Sequence, residues 1–380
     1  MIVARSMLFV LPAIAATAVA AAGSFILFQG ATDAEQRELN AIGGGYYRAS
    51  FAGSSGIIAF CDRVLAANPA NKVAGRLRAW NLLQVGRAAE CAAELADLRV
   101  RYPDYPEPLE CQFWLSLAIG NKKEAIARLH ERSRFFADHP AARGRTPAPR
   151  EGGWYAEKAL ELEGRWEEIQ KRIAERSKSD DRFLAAYAVE EMGGLYLRRG
   201  MYADAEKYLD RAATASRERD KNSPALVAAP LISLAHAQWA RGQRDRALAS
   251  ALDAVRWASM PNSSPHLRAE SLLIAHALCT HGIGTPAERR LVGELLRESA
   301  QKFPKANEYS LMNVARCLAG ESSYSESVKR VKAVLRAAPH VDWAVWAALY
   351  LSLASPDGDA ELAALLPDGS LQRRLYIAAH

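Results

Sequence analysis

A few short stretches of this sequence carry residue types and spacings that could do chemistry. His276, Cys279 and His281 bring two imidazoles and a thiol together, the first two on one helix face at i,i+3. A closed zinc site takes four ligands, and no fourth stands nearby in sequence. The histidines are therefore read as capping or lining the end of a buried helix, and no metal is assigned. Ser299-Ala-Gln-Lys302 has the SxxK spacing of a lysine-activated serine nucleophile, but the KTG partner of such enzymes is missing. It reads as the polar end of an amphipathic helix. Gly282-Ile-Gly284-Thr-Pro-Ala287 imitates a dinucleotide loop, yet it follows a helix rather than a strand and Pro286 suits a helix start, which makes it an inter-helix loop. Gly53-Ser-Ser-Gly56 lacks the lysine of a phosphate loop, and His130-Glu131 is followed by Arg132 and Ser133 rather than by a metalloprotease pattern. No catalytic residue, cofactor site, metal site or small-molecule substrate is predicted, and the chain is read as a non-enzyme.

The elements that would position any site are helical. Half of the 380 residues are hydrophobic and 24% are charged, enough to bury a large core. Alanine, leucine, arginine and glutamate dominate, and these side chains lose little rotamer freedom in a helix. The net charge of +6 is spread thinly, with signs alternating as in Arg217-Glu218-Arg219-Asp220. Without a basic stripe interleaved with aromatics, that pattern argues against nucleic acid as a partner. Cys61, Cys91, Cys111, Cys279 and Cys317 are odd in number, widely spaced and free of CxxC, so they are read as small buried hydrophobes, with a single bridge left open as the alternative.

Residues 6–32 contain no charge, longer than the roughly 20 apolar residues that cross a bilayer as a helix. Arg5 precedes the stretch; Asp33, Glu35 and Glu38 follow it. A single-pass anchor in the inner (cytoplasmic) membrane is expected, with the bulk of the chain on the periplasmic side. Ala18-Val19-Ala20 and Ala20-Ala21-Ala22 keep a cleaved signal peptide open as the alternative, although the apolar run continues to Phe28.

The most informative pattern is a ladder of glycines: Gly53, Gly86, Gly120, Gly164, Gly200, Gly242, Gly282 and Gly320, spaced by 33, 34, 44, 36, 42, 40 and 38 residues. Each follows one apolar-periodic stretch and precedes another, as at the turn of a helical hairpin. Five residues on stand Cys91, Ala125, Ala205, Ala247 and Ala287; nine on, Leu95, Leu129, Ile173, Leu209 and Leu291; twelve on, Leu65, Leu98, Ala212 and Ala254. These offsets fall on one helical stripe. Pro69, Pro103, Pro140, Pro304 and Pro339 close units. The run Gly193, Tyr196, Gly200, Tyr202, Ala205, Tyr208-Leu209, Ala212 resembles the tetratricopeptide repeat family, and Leu234-Ala235, Gly242, Ala247 and Ala254 form a second copy. The unit around Gly86 departs from it with Arg78 where leucine is usual, and the units at Gly282 and Gly320 fit only with extra turn residues.

The resemblance implies an all-α, right-handed superhelical α-solenoid of helical hairpins, and the uncharged segment 6–32 sets an N-terminal transmembrane helix before it. Expected boundaries are 1–32 for the anchor or signal segment and 33–139 for a first sub-array. A Pro/Arg/Gly loop follows at 140–153, then a second sub-array at 154–340 and closing helices at 341–380. The resemblance also implies that the first helix of each hairpin lines a concave protein-binding groove, here Arg76, Trp80, Leu83, Glu110, Trp114, Leu117, Trp154 and Trp239. Trp80 and Trp114 each stand six residues before their glycine and should align one repeat apart. These tryptophans could equally fill gaps between repeats. The expected function is a membrane-anchored scaffold or adaptor that holds protein partners, for assembly or stabilisation of a cell-envelope complex. A hydrolase whose site is built from distant residues, or a permanent structural subunit of a membrane complex, are the alternatives.

Overall fold

The computed structural model describes residues 53–138, 149–180, 182–219, 223–261, 263–302, 307–354 and 359–380, and these are helical with no strand. Two compact units divide the chain. The first holds α1 (Gly53–Ala67), α2 (Lys72–Gln84), α3 (Ala88–Arg101), α4 (Glu107–Ala118), α5 (Lys122–Asp138) and α6 (Pro149–Glu163), together with residues 305–309 and 333–344. The second begins with α7 (Trp166–Arg176), α8 (Arg182–Arg198), α9 (Tyr202–Arg219), α10 (Pro224–Ala240) and α11 (Arg244–Ala258). It continues through α12 (Pro265–Thr280), α13 (Pro286–Lys302) and α14 (Leu311–Leu318). Residues 310–332 and 345–380 belong to it as well, with most of α15 (Tyr324–Ala337) and α16 (Asp342–Ser352), then α17 (Ala360–Ala363) and α18 (Leu371–Ala379).

Every glycine of the ladder has a positive φ, between 74° and 85°. At Gly86 the backbone closes as a Schellman turn. Gly86 N–H donates to Leu83 O at 3.0 Å and Arg87 N–H to Leu82 O at 2.9 Å. The same pair of bonds recurs at Gly120, Gly164, Gly200, Gly242, Gly282 and Gly320, so the hairpin turn is one repeated device. Two positions in the ladder should differ in tolerance. Alanine at Gly242 meets nothing within 4 Å and carries only the left-handed strain, about 1–2 kcal/mol. Alanine at Gly86 would also set its Cβ 3.0 Å from Val334 Cα, so Gly86→Ala should shift the urea midpoint further than Gly242→Ala. Equal shifts would mean that the backbone at Val334 yields freely.

The buried stripe follows the expected offsets through most of the chain. Cys91, Ala125, Ala205 and Ala247 are fully buried, as are Leu95, Leu129 and Leu209; Ile173, Leu98, Ala212 and Ala254 are buried, and Leu65 is half-buried. The unit after Gly282 departs from it: Ala287 is exposed and Leu291 is 45% exposed. A second positive-φ glycine, Gly284, lengthens that turn. Thr285 and Glu288 then form a capping box, Thr285 N–H donating to Glu288 Oε2 at 2.7 Å and Glu288 N–H to Thr285 Oγ1 at 3.2 Å. The delayed start rotates the helix, and its inward face becomes Val292, Leu296, Ser299 and Ala300. Arg78, the departure in the Gly86 unit, bridges Asp62 on α1 at 2.6 Å and Glu94 on α3 at 2.7 Å.

The expected loop at 140–153 is shorter than its composition suggests, because α6 starts at Pro149, where proline suits a first helical turn. Its remaining residues, with Pro140 and Pro304, lie outside the described residues, as does the apolar segment 6–32. Among the described residues no helix is long and apolar enough to cross a membrane.

Residues 333–344 sit across the hairpin turns of the first unit. His340 N–H donates to Ala118 O at 3.0 Å and Trp343 Nε1–H to Gln84 O at 3.2 Å. In the second unit residues 345–380 turn back onto α10. The His236 ring stacks on Trp346 with centroids 4.6 Å apart and shares a 3.2 Å hydrogen bond with the Tyr350 hydroxyl, while α18 packs on the same helix. Burial pushes the His236 imidazole down to about 3, so it serves as a neutral aromatic core residue.

Candidate functional site

The predicted groove residues are mostly interior. On α2, Arg76, Trp80 and Leu83 are 2%, 8% and 2% exposed; on α4, Glu110 is 4% exposed, while Trp114 and Leu117 are half-buried. Trp239 on α10 is fully buried. Trp154 falls within α6, with its side chain outside the described residues. Trp80 and Trp114 do align, edge to face, with centroids 6.5 Å apart. Trp114 also leans on Phe113 at 4.8 Å and, with Leu117, packs against the cluster Phe113, Ala125, Leu129 and Ala159. Here the aromatic row joins α2, α4, α5 and α6 as packing. Glu110 and Arg132 form a buried ion pair at 3.1 Å between α4 and α5. Arg76 lies close enough to act on Cys111, whose thiol is pushed up chiefly by burial and secondarily by Glu110.

An open cleft lies elsewhere in the first unit, between α3 and α5 and floored by α4. Its volume is about 720 Å³. Leu109 and Tyr105 lie at its floor, Phe135 and Arg134 on the α5 side, Val100 and Arg99 on the α3 side. Val100 is 83% exposed, the most exposed large hydrophobic side chain among the described residues. Arg99 pairs with Glu131 across the cleft and donates to Gln112 at 3.3 Å, so α3 is tied to both neighbours there. Arg134 and Asp138, one helical turn apart and exposed, make no ion pair among the described residues. The cleft thus offers an apolar floor, an uncovered valine on one rim and unspent charge on the other. Sequence reasoning missed it; the available signal was Val100 between Arg99 and Arg101 on an otherwise charged helix face.

The remaining chemical groups stay apart. All five cysteines are free and buried, with burial pushing Cys61 and Cys91 to about 12 and Cys279 to about 11, which makes them inert thiols. Among the described residues no group of three or more His, Cys, Asp or Glu side chains is placed to hold a metal ion. His281, the last member of the sequence cluster, lies instead beside His380, with ring centroids 4.9 Å apart. No family model matches this chain, and no curated protein matches it.

Proposed function

We propose that this chain is a membrane-tethered scaffold or adaptor, a right-handed α-solenoid of tetratricopeptide-like hairpins that holds a protein partner. The seven recurring Schellman turns support the repeat reading, because one hairpin cannot bury its apolar face alone and must stack on neighbours. The uncharged stretch 6–32 supports the tether and the periplasmic placement of the bulk. The observation that carries the binding reading is the cleft beside Val100. An apolar floor with an exposed aliphatic rim and polar flanks is the anatomy of an interface core and its margin. In this reading Arg76, Trp80, Leu83, Glu110 and Trp239 pack helices within their own units, and the half-buried Trp114 and Leu117 are the groove residues left open to a partner.

The test places a photo-crosslinking residue at position 100 of the full-length protein in native membranes, with position 377, where Ile377 is 58% exposed in the second unit, as the control. A partner band at 100 and none at 377 is expected. Val100→Asp should reduce capture about tenfold while leaving stability within about 0.5 kcal/mol, since the side chain is largely solvated. Equal crosslinking at both positions, or capture unaffected by Val100→Asp, would remove the cleft from the interface.

A further inference from the structure

His281 and His380 sit where three helices of the second unit end. His281 is the C-cap of α12 and His380 the C-cap of α18. The backbone of Leu353, the residue after α16, lies beside the His281 ring and favours its charged form. Helix C-termini carry partial negative charge, and three of them at one point favour a cation there.

The ring nitrogens are sorted by the same contacts. His380 Nδ1 lies 3.1 Å from Tyr376 O, the geometry of a donated N–H, which leaves Nε2 as its free lone pair. His281 Nε2 is buried and has no hydrogen-bond partner. Donation of one ring N–H to a backbone carbonyl is how metal-binding histidines are held in the tautomer that presents the other nitrogen. With an ion about 2.1 Å from each Nε2, two imidazoles at a tetrahedral angle have centroids about 5 Å apart. The observed separation is 4.9 Å with the ring planes at 71°.

We propose that His281 and His380 bind one divalent late first-row metal ion through their Nε2 atoms, with water completing its coordination. Imidazole suits zinc, nickel and copper, and copper is held most tightly of these by nitrogen ligands. Arg244, at the start of α11, acts on His281 as a like charge and opposes the ion. His380 is exposed, so it is the ligand that adjusts its side chain as the ion enters. The site is independent of the cleft in the first unit, and its failure would leave the adaptor reading untouched.

The experiment uses the full-length protein carrying no affinity tag. Titration with Cu2+ followed by electron paramagnetic resonance should give hyperfine coupling to two nitrogens, reduced to one in His380→Gln and in His281→Gln. Calorimetry with Zn2+ should show each substitution weakening binding by about tenfold or more, Arg244→Gln strengthening it, and His276→Gln leaving it unchanged. Because His380 is exposed, His380→Gln keeps the fold, which circular dichroism checks. Unchanged affinity and unchanged two-nitrogen coupling in either His281→Gln or His380→Gln, or no saturable binding of wild type up to millimolar ion, overturns the proposal.

Discussion

Arg132→Met should destabilise the first unit by about 3–5 kcal/mol, because it strands the carboxylate of Glu110 in the interior. The two side chains are 8% and 5% exposed and meet at 3.1 Å, joining α4 to α5 within one hairpin. Water can reach neither to replace the lost partner. Arg76, buried at 2% and near the same Cys111, supplies a second positive charge, which favours the lower end of that range. The double variant Glu110→Leu with Arg132→Met should recover most of the loss, since it removes both desolvated charges and leaves apolar side chains of similar size. Urea unfolding of the two single variants and the double yields the coupling directly. A cost below about 1 kcal/mol for Arg132→Met would show that Glu110 finds water or another cation, and the pair would then be no anchor of the hairpin.

Much of this architecture is legible in the residues because it depends on local stereochemistry. A helix that must reverse within a few residues needs one left-handed backbone position, and glycine supplies it without strain. Hence the ladder from Gly86 to Gly320 marks the turns directly. The stripe at offsets five, nine and twelve follows from helical periodicity alone and holds wherever the turn has its standard length. It slips after Gly282 because Gly284 adds turn residues, and a change of phase there carries Leu291 out to solvent. The return of residues 345–380 onto α10 leaves no periodic trace, since Trp346 and Tyr350 read as core residues whatever they cover. Trp239, on that same helix, reads as a groove residue in sequence and is fully buried in the structure. The cleft is illegible for the opposite reason. It is a gap among α3, α4 and α5, and only the single apolar Val100 between two arginines hints at it.

Trp80→Ala should cost about 3–5 kcal/mol, the usual price of removing a large buried aromatic side chain. The ring is 8% exposed and edge-on to Trp114, so its removal opens a void between α2 and α4 and forfeits the aromatic contact, itself worth about 0.5–1.5 kcal/mol. Trp114→Ala should cost less, because that ring is half-buried. The double variant should lose less than the sum, since each single variant already forfeits the shared contact. Trp80→Phe should recover much of the loss by filling part of the same volume. Thermal unfolding of the four proteins checks the series, and a Trp80→Ala cost under about 1 kcal/mol would return Trp80 to the list of partner anchors. The series also separates the two roles that sequence alone leaves entangled. A partner lost with Trp80→Ala together with cooperative unfolding reports a collapsed array. A partner lost with Val100→Asp, in a protein that unfolds as the wild type does, reports a contact.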